Sequence, residues 1–145
     1  MQLKVRADLG QLSRIREFVS ESALALGAEP ASLDDLRIAV DEAVTNILTH
    51  GYGGPGDVEL ELIADGSDLV VRLRDQAPPF DPGLAPPVDL RPAGERDSAG
   101  GLGVHLMRSL MDEIVHRPVE TGNELTMTKR GVVNIAGSSA DEESR

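Results

Sequence analysis

A carboxylate, an amide and an imidazole occur together in the stretch DEAVTNILTHGYG, residues 41–53. Glu42 and Asn46 are four residues apart, so on a helix they lie on one face, one turn from each other. A neighbouring face is apolar, because leucine, valine, isoleucine and alanine recur there at helical spacing. Such a helix could pack on its apolar side and hold a hydrated metal ion at the wall of a site. A solvated helix face is the commoner role of a Glu-x-x-x-Asn pair.

Two further segments carry residue types suited to a nucleotide. Asp75 closes a predicted strand and opens DQAPPFDP, where its carboxylate could accept a hydrogen bond from the exocyclic amine of a base or simply cap a turn. Gly100, Gly101 and Gly103 surround Leu102 just before a helical pattern, and glycines at a helix start let backbone N–H groups approach phosphate. Each signal alone is weak. The order and spacing of the three segments together favour a nucleotide site.

The composition limits the kinds of partner and site. The chain has 145 residues, no cysteine and a net charge of -11, so disulfides, thiol nucleophiles and thiolate metal sites are excluded. A nucleic-acid surface would need clustered Lys and Arg, and no apolar run approaches the length of a membrane span. No signal-peptide pattern opens the chain. We therefore expect a soluble cytoplasmic protein that binds neither nucleic acid nor membrane.

The elements that must position these residues follow from hydrophobic periodicity. Alternation predicts five strands, with hairpin turns at Asp65-Gly66 and Gly122-Asn123; the strands lie near residues 3–7, 58–64, 69–75, 114–115 and 125–128. Helical spacing predicts a helix that stops at Gly27, a second that runs to about Thr49, and a short third one near residues 102–111. Residues 50–56 are rich in glycine and predict a break that continues neither helix nor strand.

The predicted strands come mostly in adjacent pairs, in the order β-α-α-β-β-loop-α-β-β. This order favours an α+β fold: a two-layer α/β sandwich with a mostly antiparallel, mixed sheet and helices on one face. We expect a single domain over residues 1–131. Within it, a long proline-rich loop covers about residues 76–101. The small and polar residues of the chain end predict a disordered tail over 132–145.

In this order the three segments resemble the motifs of the GHKL (Bergerat-fold) ATPases, and most closely those of the bacterial anti-sigma-factor serine/threonine kinases. DEAVTNILTHGY is similar to that family's N box, DQAPPFDP to its first glycine box and GGLGVHL to its second. The proline-rich segment between the last two resembles the ATP lid. The resemblance covers roughly residues 3–130, and the competing phosphate-loop pattern G-x-x-x-x-G-K-[ST] does not occur.

The resemblance implies a role for each matching residue. Glu42 would be the catalytic general base that takes the proton from the attacking hydroxyl. Asn46 would ligate the Mg²⁺ that bridges the phosphates of ATP. Asp75 would bind the adenine amino group, next to Ala77, which stands where the family usually has glycine. The other residues expected at the ATP or ADP site are His50, Phe80, Gly100, Gly101, Leu102, Gly103, Val104 and Thr126.

Four residues have a simpler interpretation than a role at the nucleotide. A histidine at a helix end, such as His50, more often caps carbonyl groups. Thr126 lies on a late strand, where core or edge packing is the commoner role. Arg91 and Arg96 of the lid could swing onto the phosphates or a protein substrate, but solvated loop arginines are the simpler interpretation.

The resemblance also implies the activity and its partners. It predicts a protein serine/threonine kinase that uses Mg-ATP to phosphorylate a STAS-like anti-anti-sigma protein and that sequesters a sigma factor. The alternative is a non-catalytic module in which ATP orders the lid and sets the affinity for a protein partner. A third possibility is an α+β interaction domain that binds no nucleotide. Members of the family often form homodimers, so a homodimer through the first strand and first helix is a further expectation.

Overall fold

The structure, a computed structural model, describes residues 1–78 and 106–134 of the chain. The described strands are β1 (Gln2–Ala7), β2 (Gly56–Asp65), β3 (Asp68–Asp75), β4 (Glu113–Val119) and β5 (Gly122–Lys129). Helices α1 (Leu12–Ala25) and α2 (Leu33–Asn46) lie between β1 and β2 in the chain, each after a short 3₁₀ turn, at Leu9–Gln11 and Pro30–Ser32. A π-helix (Ile47–Tyr52) continues α2, and residues 106–110 are helical.

The strands form one sheet in the order β1-β2-β3-β5-β4. All four of these pairings are antiparallel. The consecutive strands β2 and β3, and likewise β4 and β5, pair as hairpins, as the turn residues predict. The predicted α+β sandwich with a mostly antiparallel sheet is confirmed, and β3, which ends in Asp75, lies at the centre of the sheet.

One face of the sheet is apolar and is covered by the helices. Leu69, Val71 and Leu73 alternate along β3 and are fully buried. They belong to one cluster with Ile15 of α1 and Leu36 of α2. Burial of such aliphatic side chains contributes about 1.5–3 kcal/mol each. Because Asp75 continues the same alternation, the core fixes its carboxylate on the helix-facing side of the sheet.

The other face carries a row of alternating charges that crosses all five strands. Lys4 and Arg74 each lie 3.4 Å from a carboxylate oxygen of Glu59. Arg74 and Arg117 each donate to Glu124 at 2.8 Å. Burial alone would raise the pKa of Glu124, but the hydrogen bonds and charges of the two arginines outweigh burial and lower this pKa. This row of side chains therefore pairs its charges across neighbouring strands.

The helical segment that carries Glu42 and Asn46 is longer than the sequence predicts. Residues 50–52 continue the π-helix, which ends at Gly53 with a φ of 72°. Gly56, also expected in the break, is the first residue of β2. The hydroxyl of Tyr52, at the end of this turn, forms tertiary hydrogen bonds with Asp57 and Gln76.

The chain end also differs from its predicted boundary. Val132 and Val133, expected in a disordered tail, are each 8% exposed. Val133 forms a β-bridge with Ala28, and Val132 accepts a 2.8 Å hydrogen bond from the Glu29 N–H. Both valines belong to the hydrophobic core, so the packed part of the chain extends at least to residue 134. Residues 135–145 lie outside the described residues.

Across residues 1–78 and 106–134, no helix has the length and apolar character needed to cross a lipid bilayer.

Candidate functional site

Tyr52 joins the end of the helical segment to the end of β3. Its hydroxyl donates to the Asp57 carbonyl at 2.7 Å and accepts from the Gln76 N–H at 2.7 Å. Gln76 directly follows Asp75 in the chain. Asn46 is six residues before Tyr52, a distance of at most about 9 Å along a helix at 1.5 Å per residue. The structure thus brings the first two predicted segments to the same edge of the sheet.

The helical residues 106–110, which follow the glycine run, lie against the same helix layer. Met107 is fully buried and Met111 is 5% exposed. Lys129 donates to the Leu110 carbonyl and to the Asp35 carboxylate in the first turn of α2. Several residues expected at the site lie outside the described part of the chain, so their contacts stay predictions. These residues are Phe80, Arg91, Arg96, Gly100, Gly101, Leu102, Gly103 and Val104.

Asp75 is held in a fixed orientation inside the protein. It is 6% exposed, and its Oδ1 accepts hydrogen bonds from the Ala77 N–H at 2.9 Å and from Asn123 Nδ2 at 3.0 Å. Among the described residues, no hydrogen bond uses its second oxygen, Oδ2. A carboxylate can accept at both oxygens, so Oδ2 is the atom left for a ligand donor such as the exocyclic amine of adenine.

Ala77 stands at the place where the resembled family usually has glycine. It is 2% exposed, so its methyl group is accommodated inside the protein. Its N–H closes the turn onto the Asp75 carboxylate. The alanine is therefore compatible with the orientation of Asp75 and takes part in holding it through the backbone.

Asn46, on the helical segment that Tyr52 joins to β3, has an unsatisfied amide nitrogen. The residue is 6% exposed, and within the described chain its Nδ2 has no hydrogen-bond partner. A buried donor without a partner costs about 1–3 kcal/mol, which a ligand oxygen accepting from Nδ2 would recover. The amide oxygen is a ligand type that Mg²⁺ accepts. The described residues contain no group of three or more His, Cys, Asp and Glu suited to a metal, so a Mg²⁺ held here would keep water and phosphate ligands, which is its usual preference.

Glu42 has the environment of a proton acceptor. It is partly buried one turn before Asn46. Burial raises the pKa of Glu42, and the neighbouring charge of Asp41 raises it further. Asp41 is itself fixed by a 2.7 Å hydrogen bond from Arg16 Nε of α1. A carboxylate with a raised pKa holds a proton more readily, as a general base requires.

Of two further residues expected at the nucleotide, His50 stays a prediction and Thr126 is placed differently. His50 lies in the last turn of the π-helix and is exposed. Thr126 lies opposite Arg72 of β3 and Val115 of β4, on the charged face of the sheet. Asp75 points to the helix-facing side, so the sheet itself separates the two side chains. The expectation that Thr126 approaches adenine is therefore corrected.

Asn123 is a site residue that the sequence analysis misses, because the pattern Gly-Asn predicts only a turn there. It lies directly opposite Asp75 in the β3–β5 pairing and is 2% exposed. Besides Asp75, its Nδ2 donates to the carbonyls of Ala77 and Pro78, each at 3.3 Å. The sequence does hold a signal for it, because every second residue of a strand lies on the same face. Asn123 therefore shares a face of β5 with Leu125 and Met127.

Tyr52→Phe tests the connection between the helical segment and β3. The ring lies against Gly56, where an added Cβ would come within 2.3 Å of it, and phenylalanine keeps this packing. The Gln76 N–H loses its acceptor at an exposed position, so we expect a loss of about 0.5–1.5 kcal/mol in the free energy of unfolding and weaker Mg-ATP binding. Urea unfolding and titration calorimetry measure the two effects. Thr128→Val on the charged face is the matched control, and equal affinities in the two variants would contradict the role of Tyr52.

Known proteins resemble this chain over most of its length. The family model described as the histidine kinase-like ATPase domain matches residues 5–129. Serine-protein kinase RsbW of Bacillus licheniformis is 32% identical over 136 residues, a match that covers 89% of this chain and 84% of that protein. Serine-protein kinase RsbW of Listeria monocytogenes serovar 1/2a is 31% identical over 135 residues, with 89% and 84% covered.

Solved structures share the fold. The crystal structure of the RsbU and RsbW domains of Rv1364c from Mycobacterium tuberculosis matches with a TM-score of 0.57 and 20% identity, over 90% of this chain and 32% of that chain. The histidine kinase domain from Erythrobacter litoralis EL346 matches with a TM-score of 0.50 and 18% identity, over 84% of this chain and 60% of that chain. This chain thus spans less than two thirds of either structure. The match over residues 5–129, together with the RsbW relatives, shows that the chain belongs to the histidine kinase-like (GHKL) ATPase domain family.

Proposed function

We propose that this chain is an ATP-dependent protein serine/threonine kinase of the anti-sigma-factor type. The observation that carries the proposal is the presence of two buried polar groups on segments that meet at one edge of the sheet. Asp75 keeps Oδ2 available to a donor, and among the described residues Nδ2 of Asn46 has no hydrogen-bond partner. The hydroxyl of Tyr52 ties the segments that bear them. One end of this arrangement suits an adenine, and the other suits a metal-bound phosphate.

Three residues of the chain have separate roles in the proposed phosphoryl transfer. Asp75 accepts a hydrogen bond from the adenine amine and so sets the position of the nucleotide. Asn46 would hold Mg²⁺ through its amide oxygen, and the ion would neutralise charge on the transferred phosphoryl group. Glu42 accepts the proton of a serine or threonine hydroxyl as that oxygen attacks the γ-phosphorus of ATP. The bond from this phosphorus to the oxygen that bridges it to the β-phosphate breaks, and ADP leaves. Such transfer depends mostly on positioning and charge neutralisation, which suits a site with few ionised side chains.

The names of the relatives support a protein substrate. RsbW of Bacillus licheniformis and of Listeria monocytogenes are serine-protein kinases, and the matches cover most of both chains. We extend the proposal to the partners that the motif resemblance implies: a STAS-like anti-anti-sigma protein as the phosphate acceptor and a sigma factor as the sequestered protein. A homodimer through β1 and α1 belongs to the same proposal.

Two measurements on the full chain test this function. Titration calorimetry with Mg-ATP, with Mg-ADP as competitor, should give a single site per chain. Incubation with labelled ATP and the STAS-domain proteins encoded by neighbouring genes should label one of them on serine or threonine. Binding without any phosphoprotein would overturn the kinase in favour of the non-catalytic ATP-dependent module. Absence of binding would overturn both.

A further inference from the structure

The amide of Asn123 can be oriented from its surroundings. Its Nδ2 faces three oxygens: Oδ1 of Asp75 at 3.0 Å and the carbonyls of Ala77 and Pro78 at 3.3 Å each. An amide oxygen in that place would face a carboxylate and two carbonyls, which are all acceptors. The nitrogen must therefore point toward Asp75 and the following turn, and the amide oxygen must point away from them.

The other end of this amide meets a histidine from the edge strand β4. Asn123 Oδ1 lies 2.9 Å from His116 Nε2. His116 is paired with Leu125, two residues from Asn123 along β5, so the contact is a diagonal one on the helix-facing side of the sheet. Since Oδ1 only accepts, Nε2 of His116 must carry a proton. The neutral ring must then have its proton on Nε2.

We propose that His116 acts through Asn123 as a positioning pair that orients Asp75, and that this pair sets the preference of the site for adenine over guanine nucleotides. The inference rests on the proposed function, because it takes Asp75 as the base-binding residue. Neither His116 nor Asn123 needs to touch the reacting groups for this role.

The selectivity follows from what each base presents to a fixed carboxylate. Adenine carries an amine donor at its six position, and guanine carries a carbonyl acceptor there. A carboxylate held at Oδ1 by two donors keeps Oδ2 aimed at the base, so it accepts from adenine and repels guanine. A site built around such a hydrogen bond rejects an analogue that lacks the donor.

His116 helps to keep the Asn123 amide in one orientation. An asparagine side chain can flip by half a turn, which would place its oxygen against the Asp75 carboxylate. In the flipped state the amide nitrogen would also face the Nε2–H of His116, donor against donor. His116 therefore disfavours the flipped amide in addition to Asp75. Its removal should loosen the Asp75 carboxylate without removing any group that contacts the nucleotide.

The test compares a donor-free replacement with one that keeps a donor. His116→Met fills a similar volume but donates nothing, and His116→Gln retains an N–H near the position of Nε2. We expect His116→Met to weaken Mg-ATP binding about fivefold, the effect of one net hydrogen bond. The ratio of Mg-ATP to Mg-GTP affinity should fall with it. His116→Gln should restore both quantities to within about twofold of the wild type.

A substitution at Asn123, which lies between His116 and Asp75, should perturb the Asp75 carboxylate more strongly. Asn123→Asp keeps the shape of the side chain but puts a second carboxylate against Asp75, so we expect a loss of more than about tenfold in Mg-ATP affinity. Thermal unfolding of every variant, without nucleotide, separates this effect from general destabilisation. A merely structural role for His116 would lower the melting temperature and leave the ATP-to-GTP ratio unchanged.

A spectroscopic measurement tests the pair without any nucleotide. The nitrogen-15 shifts of the His116 ring, recorded where the ring is neutral, should report the Nε2–H tautomer in the wild type, and this preference should weaken in Asn123→Leu. A ring protonated on Nδ1 instead would overturn the inference.

The inference and the proposed function fail in different ways. If the wild type binds Mg-ATP in preference to Mg-GTP and His116→Met keeps that ratio, the positioning pair is overturned and the kinase stands. If the wild type binds no Mg-ATP, the proposed function fails, and the base preference assigned to the pair fails with it.

Discussion

Glu42→Gln is expected to reduce phosphotransfer to a protein hydroxyl by about 10²–10⁴-fold, the usual contribution of a positioned general base. Glutamine keeps the size of the side chain and its ability to form hydrogen bonds, but it cannot take a proton. Mg-ATP binding should stay within about twofold of the wild type, because Asn46 and Asp75, which are assigned to the nucleotide, are unchanged. Single-turnover transfer from labelled ATP and titration calorimetry measure the two quantities.

The same variant should be more stable than the wild type at neutral pH. Burial, and then the charge of Asp41, raise the pKa of Glu42 in the folded protein above 4.5. Such a group contributes stability that is complete below the unfolded pKa and is lost as the pH rises through the folded pKa. At pH 7 the ionised side chain therefore disfavours the folded state, and glutamine removes that charge. Thermal unfolding at pH 7 and pH 4 should show a gain for Glu42→Gln that shrinks at the lower pH.

The pH dependence of phosphotransfer supplies a second check on Glu42. The base is active only when ionised, so the rate should fall on the acid side as the pH drops through its raised pKa. Asp41→Asn removes one of the two causes of that raised pKa, so it should move the acid limb of the profile to lower pH. Glu17→Gln on the exposed face of α1 is the matched control and should change neither rate nor stability. Undiminished transfer in Glu42→Gln would remove Glu42 from the mechanism.

The central strand and its chemistry could be predicted from the sequence because the relevant signal is local. Alternation along residues 69–75 places Asp75 on the same face as Leu69, Val71 and Leu73, and the structure has all four buried there. The pairing of Arg74 with Glu59 also follows from the hairpin register once the turn at Asp65-Gly66 is recognised. These predictions need only neighbours in the chain.

The partner of Asp75 could be predicted only in part. Alternation along β5 is enough to exclude Thr126 from the face that carries Asp75. Leu125 and Met127 lie on the core face, so Thr126 lies on the other. The positive assignment of Asn123 needs the β3–β5 register, which joins residues 48 apart in sequence. Local alternation does not encode such a register.

The additional helical turn at residues 50–52 was missed for a related reason. Gly51 and Gly53 are correctly read as poor helix formers, and intrinsic propensity favours a break there. Tertiary hydrogen bonds outweigh this low helix propensity. Tyr52 makes one hydrogen bond to Asp57 and one to Gln76, and both partners come later in the chain. A segment whose stability depends on distant contacts is not predictable from its own residues.

Gly122→Ala is expected to reduce Mg-ATP affinity by more than about tenfold and to lower the free energy of unfolding by about 1–3 kcal/mol. A Cβ at Gly122 would lie 1.9 Å from the Asp75 carbonyl oxygen and 2.7 Å from the Asp75 carbonyl carbon and Gln76 Cα. All three are backbone atoms, so no change of rotamer relieves the overlap. Either β5 or the end of β3 must move, and the contact between Asn123 and Asp75 bridges that same gap. Titration calorimetry and urea unfolding measure the two losses.

A second glycine provides the matched control for this substitution. At Gly54 an added Cβ has nothing within 4 Å, so Gly54→Ala should change nucleotide affinity by less than about twofold. The comparison separates the steric effect at β5 from the general effect of adding a methyl group to a glycine near the site. If Gly122→Ala lost stability but kept its affinity for Mg-ATP, the Asp75 carboxylate would not be the group that binds the base. If it kept both, the close approach of β5 to the end of β3 would be wrong.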